Sequence, residues 1–222
     1  MAKLIKFINT REPELAADFV AGQILAKLAS GQRVLWLVPG GSAIAVSVAA
    51  ARKIALQPHH NLIITLTDER YGKLGHPDSS WYQSQKAGFK LPEAELIPVL
   101  ADADFLETAE VFASNLEREL TKADYAIGLF GIGADGHTAG ILPHSPAVLA
   151  EGLVSAYEAG NFRRITVTPV AISRLDEVVV FAQGEAKWPV LKQLNQEIDI
   201  TSQPAQTLKN SERLTIFTDY KN

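Results

Sequence analysis

Residues 124–137 read DYAIGLFGIGADGH, an apolar segment that runs directly into a loop with three glycines. An almost continuous apolar run is typical of a strand that is covered on both faces of a parallel sheet. The glycines at 131, 133 and 136 leave the following backbone bare and free to turn. Asp135 and His137 lie two residues apart on that loop. The stretch therefore predicts a buried strand whose carboxyl end carries polar groups.

The same alternation of apolar runs and helical patterns extends along the whole chain. Strands are predicted at residues 33–38, 61–67, 94–100, 124–130, 153–159, 163–169, 177–183 and 213–219, and helices at 11–30, 43–56, 81–88, 102–122 and 184–194, with a polar loop at 68–80. Strands that alternate with helices imply right-handed crossovers and a mostly parallel sheet. No repeat or linker interrupts the pattern, so we expect one α/β domain over residues 1–222.

Composition excludes several classes of function. The chain has 222 residues, a net charge of -4 and no cysteine, so it has no disulfide, no thiolate metal site and no cysteine nucleophile. The net negative charge does not favour binding to nucleic acid. The sequence Pro39–Ser42 divides the uncharged run at 34–51 into a strand and a helix, so no membrane span is expected. We expect a cytoplasmic protein.

Polar loops follow several of the predicted strands at one edge of the sheet, where ligands of α/β proteins bind. Gly40, Gly41 and Ser42 lie between a strand and a helix, which is a natural seat for an anion; alternatively, Ser42 simply caps the helix. Asp68 and Arg70 follow the next strand. Arg70 offers a planar fork for phosphate or carboxylate, although it could instead form an ordinary surface ion pair with a neighbouring carboxylate.

His137 is the best candidate for an acid or base, because histidine titrates near neutral pH. Asp135 would fix its tautomer if the loop brings the two together; otherwise both are ordinary turn residues. A metal site formed with His144 is disfavoured, because no compact ligand spacing accompanies these residues. Lys187, at the start of a helix, adds positive charge to the same edge, or it is a solvated surface lysine. Nothing local distinguishes Arg164 from a residue that covers the end of a strand.

Taken together, the segments resemble the 6-phosphogluconolactonase family, within a wider superfamily of sugar-phosphate isomerases and deaminases. The resemblance rests on VPGGS at 38–42, TDER at 67–70 with HPDSSWY at 76–82, GIGADGHTAGILP at 131–143, RRITVT at 163–168, GEAKWPVL at 184–191 and the ending at 203–219. It spans nearly the whole chain, and DGHTA is its most specific part.

The resemblance implies a Rossmann-like three-layer sandwich that hydrolyses 6-phospho-D-glucono-1,5-lactone to 6-phospho-D-gluconate in the pentose phosphate pathway, without metal or organic cofactor. It makes His137 the general base with Asp135 in support. It assigns the phosphate or sugar to a set of residues comprising Gly40, Gly41, Ser42, Asp68, Arg70, Arg164 and Lys187. The only partner expected is this small sugar-phosphate lactone, and the chain is expected to be a monomer or small homo-oligomer.

Two positions depart from family patterns. Ser80 stands where lactonases usually carry asparagine, and a serine hydroxyl reaches less far. Leu142 stands where the related glucosamine-6-phosphate deaminases carry a glutamate that assists the histidine. The leucine favours the lactonase reading over the deaminase alternative. A non-catalytic sugar-phosphate sensor is the other alternative, and the presence of both Asp135 and His137 argues against it.

Overall fold

A computed structural model describes residues 5–221. Seven strands form one sheet in the order β1-β10-β9-β6-β2-β3-β5, and all its pairings are parallel. These strands are β1 (Ile5–Asn9), β2 (Val34–Val38), β3 (Leu62–Leu66), β5 (Glu95–Leu96), β6 (Tyr125–Phe130), β9 (Glu177–Ala182) and β10 (Arg213–Thr218). The predicted parallel sheet is confirmed.

The central strands carry no exposed residue, which explains their apolar sequences. Every residue of β2, β3, β6 and β9 is buried, so both faces of the sheet are covered, as the three-layer fold requires. The covering helices are α1 (Pro13–Ala29), α2 (Ile44–Ile54), α3 (Ser80–Lys86), α4 (Phe105–Lys122), α5 (Pro169–Ser173) and α6 (Trp188–Gln193). Among residues 5–221, none of the helices is long and apolar enough to cross a membrane.

A second sheet has three antiparallel strands, β4 (Asp68–Arg70), β8 (Phe162–Val167) and β7 (Val154–Ala159), in the order β4-β8-β7. The prediction of a loop beginning at residue 68 was wrong, because Asp68–Arg70 pairs along β8. Arg164 lies inside β8, within the strand predicted at 163–169. Each charged residue of β4 thereby has a fixed face, since side chains alternate along a strand.

Other differences lie at the edges of the fold. The sequence patterns missed β1, and the segment predicted as a strand at 94–100 contributes only the two residues of β5. The predicted helix at 184–194 begins as a single 3₁₀ turn, Glu185–Lys187, before α6. Edge strands are short and half-exposed, so they lack the continuous apolar run that marks a central strand.

Strands β2 and β6 are neighbours in the large sheet, and the chain turns outward from them in opposite directions. Strand β2 leads to β3 on one side, whereas β6 is followed by β9 on the other. The crevice outside such a reversal is where open parallel sheets bind ligands. The loops after β2 and β6 are those that carry Gly40–Ser42 and Asp135–His137.

Candidate active site

A cavity of about 280 Å³ lies at this crevice. Four segments of the chain line it: Pro39, Gly40, Gly41 and Ser42; Thr67, Asp68 and Arg70; Gly131, Ile132, Gly133, His137 and Ala139; and Lys187. Residues from four predicted loops or strand ends therefore meet in one place. Asp135 and Arg164 do not line the cavity themselves. Asp135 contacts the lining residue His137, and Arg164 lies beside the lining residue Asp68.

The imidazole of His137 is held by Asp135. The carboxylate oxygen Oδ1 of Asp135 lies 2.5 Å from His137 Nδ1 and also accepts the His137 backbone N–H at 3.1 Å. A carboxylate is an acceptor only, so the proton belongs on Nδ1. This tautomer leaves the lone pair of Nε2 for a water molecule in the cavity, which is the arrangement that a general base needs.

Burial alone would raise the pKa of the Asp135 carboxyl. The backbone N–H, the charge and the ring of His137 outweigh it and hold that pKa below its ordinary value. Asp135 is therefore ionised at neutral pH and can hold the Nδ1–H of the His137 ring.

Gly133 makes room for this pair. A Cβ at position 133 would overlap Cε1 and Nδ1 of the His137 imidazole and crowd the Asp135 carboxylate. The Gly133 backbone N–H also donates to the His137 carbonyl at 2.9 Å and closes the loop. A bare backbone is thus required here by the position of the ring.

The loop after β2 presents the amino end of α2 to the cavity. A 3₁₀ turn, Gly41–Ala43, leads directly into the helix, and the Ser42 hydroxyl makes no capping hydrogen bond. The alternative that Ser42 serves only as a helix cap is therefore not supported. The first N–H groups of a helix and its dipole favour a bound anion.

Arg70 and Arg164 lie opposite each other on β4 and β8. Both guanidinium groups lie over the Phe162 ring, at 5.4 and 5.9 Å from its centre. The buried Nε of each arginine has no hydrogen-bond partner among residues 5–221. Arg70 uses Nη1 to donate to the Asp78 carbonyl at 3.3 Å. Two oriented guanidinium groups with unused donors suit an oxyanion.

Asp68 is the buried acid of the cavity. Burial raises the pKa of its carboxyl, and the charges of Arg70 and Arg164 only partly offset this. Arg164 Nη1 lies 4.0 Å from Asp68 Oδ2, and the Thr67 hydroxyl donates to the other carboxyl oxygen at 3.3 Å. Thr67 was not predicted as a site residue, although it directly precedes Asp68 in the quoted TDER segment.

Lys187 reaches the cavity from the 3₁₀ turn before α6. Burial lowers the pKa of its ammonium group, and the charge of Asp219 partly opposes this effect. The lysine is half-buried and lines the site, so the alternative of a solvated surface lysine does not hold.

Glu69 has a structural task that the sequence reading did not assign. Its carboxylate is fully buried and accepts four hydrogen bonds, from the backbone N–H groups of Arg70, Ser80 and Trp81 and from the Ser79 hydroxyl. Asp68 and Arg70 point to the face of β4 opposite to that of Glu69, so the three charged residues have different roles. Glu69 anchors the start of α3, and its neighbours face the cavity.

A larger cavity of about 620 Å³ lies on the other side of the molecule, between the end of α1 and the loop before β3. Leu25, Leu28 and Pro58 contribute apolar walls. Within the described range 5–221, His60 is the only titratable residue that lines this cavity, so no acid–base pair and no opposing cation occur among its lining residues. No group of three or more His, Cys, Asp or Glu side chains suited to a metal ion occurs within residues 5–221.

Comparison with known proteins identifies the family of the chain. The model of the family described as glucosamine-6-phosphate isomerases/6-phosphogluconolactonase matches residues 12–217. The chain therefore belongs to this family.

Individual relatives are similar over most of the chain. A 6-phosphogluconolactonase of Synechocystis is 28% identical over 190 residues, which cover 81% of this chain and 78% of that protein. One of Mycobacterium tuberculosis is 30% identical over 192 residues, which cover 78% and 76%. The crystal structure of a 6-phosphogluconolactonase from Shewanella baltica superposes with a TM-score of 0.79 at 20% identity and covers 97% of each chain. At that identity the structural likeness establishes the fold.

Proposed function

We propose that this member of the glucosamine-6-phosphate isomerase/6-phosphogluconolactonase family hydrolyses 6-phospho-D-glucono-1,5-lactone to 6-phospho-D-gluconate. The observation that carries the proposal is the meeting of an Asp135-held imidazole with Arg70 and Lys187 in one small cavity. The names of the relatives point to the same activity. The substrate has a reactive ester at one end and a phosphate at the other, so it needs a base and an anion site at a distance.

The chemical step uses water and His137. Nε2 takes a proton from the water as its oxygen attacks the lactone carbonyl carbon, which gives a tetrahedral intermediate. Collapse of the intermediate breaks the bond to the ring oxygen, and the imidazolium returns the proton to that oxygen. A lactone is an activated ester, so a positioned base is sufficient, and such bases contribute roughly 10²–10⁴-fold.

The phosphate is assigned to the positive side of the cavity, formed by the amino end of α2 with Arg70, Arg164 and Lys187. Holding the phosphate there orients the distant carbonyl towards Nε2, and this orientation accelerates the reaction without any chemistry at the phosphate. The Asp68 carboxyl is assigned to a sugar hydroxyl, because an anionic group beside the phosphate would repel it.

A direct test follows lactone decay by NMR, with 6-phosphogluconolactone generated in situ and catalytic amounts of the protein added. Faster decay to 6-phosphogluconate than in buffer alone is the expected result. His60→Ala, at an exposed histidine of the distant cavity, serves as a control that retains full activity.

The two alternative functions give different results in the same experiment. Ammonia release from glucosamine-6-phosphate, without lactone hydrolysis, would establish a deaminase despite Leu142. Tight binding of 6-phosphogluconate with no turnover of either substrate would establish a sensor. Either outcome would overturn the proposal.

A further inference from the structure

The face of the small sheet that bears the two arginines also bears two buried hydroxyl groups. In the β8 register, Thr166 lies opposite Asp68 on β4, and Arg164 lies opposite both Arg70 on β4 and Tyr157 on β7. Residues directly opposite each other share a face, and so do residues two apart on one strand. Tyr157 and Thr166 therefore belong to the row of side chains that holds the anion site.

Both hydroxyl groups bind Gly140, three residues after His137. The Tyr157 phenol donates to the Gly140 carbonyl at 2.5 Å, and the Thr166 hydroxyl accepts the Gly140 N–H at 3.0 Å. Tyr157 additionally accepts the Leu142 N–H at 3.4 Å. Both side chains are buried. The backbone polar groups of this one residue are thus bound entirely by side chains of the small sheet.

Gly140 can take this position only because it has no side chain. A Cβ there would lie 2.8 Å from Thr166 Cβ and 3.3 Å from Asp68 Cβ. The turn that brings it there is tight: Ile141 N–H donates to the Thr138 carbonyl at 2.9 Å, and Ala139, which lines the cavity, has a φ of 49°. A left-handed alanine is strained, so the turn needs external bonds to persist.

The other end of the same loop is fixed to the large sheet. The Thr138 hydroxyl donates to the Gly131 carbonyl at 2.9 Å, at the end of β6. The loop that carries His137 is thus attached to the large sheet through Thr138 and Gly131, and to the small sheet through Gly140.

We propose that Tyr157 and Thr166 are positioning residues that, through Gly140, set the distance and direction between the His137 base and the cationic anchor of the small sheet. The proposal rests on the proposed lactonase function. In the absence of either bond the phosphate still binds, but the carbonyl and the base are no longer aligned. The loss therefore falls on kcat, since misplacement affects the transition state more than ground-state binding.

The variants Tyr157→Phe and Thr166→Val each remove one bond to Gly140, and Thr166→Ser retains it. Each of the first two is expected to lower kcat by about tenfold, with KM changed by less than about twofold. Thr166→Ser is expected to keep the kcat of the natural protein.

Matched controls remove equivalent bonds elsewhere. Tyr71→Phe deletes a phenol that donates to the Ala103 carbonyl at 2.9 Å, and Thr65→Val deletes a hydroxyl that donates to the Ile97 carbonyl at 2.9 Å. Neither bond touches the His137 loop. A tenfold loss of kcat in the controls, or full kcat in Tyr157→Phe and Thr166→Val, would overturn the proposal.

Two further readouts separate positioning from simple destabilisation. In a His137→Asn background, Tyr157→Phe should cause no additional loss of kcat, because the group that it positions is gone; a persisting tenfold loss contradicts the proposal. The His137 Nδ1–H, which is hydrogen-bonded to Asp135, is expected to give a downfield NMR resonance that reports on the loop without any turnover. It should shift or broaden in Tyr157→Phe but not in Tyr71→Phe.

The NMR readout also keeps the two proposals apart. If the natural protein does not hydrolyse the lactone but the resonance still responds to Tyr157→Phe, the lactonase function fails and the positioning of His137 stands. If the lactone is hydrolysed and neither kcat nor the resonance responds, the positioning fails alone.

Discussion

The two sheets contribute to the site in different ways. The seven-stranded sheet contributes through the loops that leave its carboxyl edge, which place His137 and the amino end of α2. The three-stranded sheet contributes through the face of its strands, which presents Asp68, Arg70 and Arg164 in register. The position of a loop residue is set by local turns and hydrogen bonds, whereas the position of a residue on the face of a sheet is set by strand pairing. Changes to His137 and its loop should therefore alter chemistry, and changes to the arginines of the small sheet should alter binding.

The largest effect is expected at the base itself. His137→Asn removes the proton acceptor and should lower kcat for lactone hydrolysis by roughly 10²–10⁴-fold, while 6-phosphogluconate binds almost as before. Steady-state kinetics and calorimetry measure the two quantities. Turnover close to that of the natural protein would exclude His137 from the mechanism. The loop after β6 would then have no chemical role.

Gly133→Ala tests the loop geometry without touching a reacting group. The added methyl would overlap the His137 ring, so the imidazole must move and kcat should fall by about 100-fold. Gly22→Ala is the control, because a Cβ there meets nothing within 4 Å. An active Gly133→Ala enzyme would mean that the ring does not occupy the described position during catalysis.

Glu69→Gln tests how strongly the small sheet depends on its buried carboxylate. A glutamine has one acceptor oxygen and an NH₂ group in place of the two acceptor oxygens that bind four donors, so the free energy of unfolding should fall by about 1–3 kcal/mol. Urea denaturation measures this. Glu158→Gln, at an exposed residue, should change the free energy of unfolding little. An equal effect of both variants would contradict the anchoring role of Glu69.

Asp68→Asn should have a smaller effect on stability, and of opposite sign. Burial raises the folded-state pKa of Asp68 above its ordinary 3.8, so the folded protein binds this proton more tightly than the unfolded chain. The stabilisation that the protonated Asp68 carboxyl contributes is therefore lost as the pH rises from the unfolded-state pKa through the folded-state pKa. Asp68→Asn should raise the melting temperature at pH 7, and the gain should shrink as the pH falls towards 4. A gain that is independent of pH would contradict this account.

The sequence predicted the large sheet well, because strands such as 124–130 are buried on both faces and read as continuous apolar runs. Of the small sheet it predicted β7 and β8, at 153–159 and 163–169, but not β4 or the pairing of the three strands. Asp68–Arg70 is three charged residues, a composition typical of loops, and it becomes a strand only because β8 pairs with it. The register that puts Arg164 opposite Arg70 depends on residues almost 100 positions apart, so no local pattern could indicate it.

The site residues show the same difference between local sequence patterns and long-range pairing. Asp135, His137 and Gly40–Ser42 were found from sequence because glycine-rich loops after buried strands have a local signature. Thr67 and Glu69 were not assigned roles, since their importance depends on burial and on partners in other segments. Tyr157 lies in none of the quoted motifs, and Thr166 lies in RRITVT without an assigned role; the pairing of β7 and β8 brings both to Gly140.

The central claim is that a loop of the large sheet supplies the base and that the arginines of the small sheet bind the phosphate together with the amino end of α2 and Lys187. It is tested most directly by measuring kcat/KM on phosphorylated and unphosphorylated gluconolactone for Arg70→Ala, with Arg163→Ala as control on the opposite face of β8. We predict a fall of about tenfold or more for Arg70→Ala on the phosphorylated substrate alone, and little change in the control. Equal losses on both substrates would contradict the assignment of the phosphate to the small sheet.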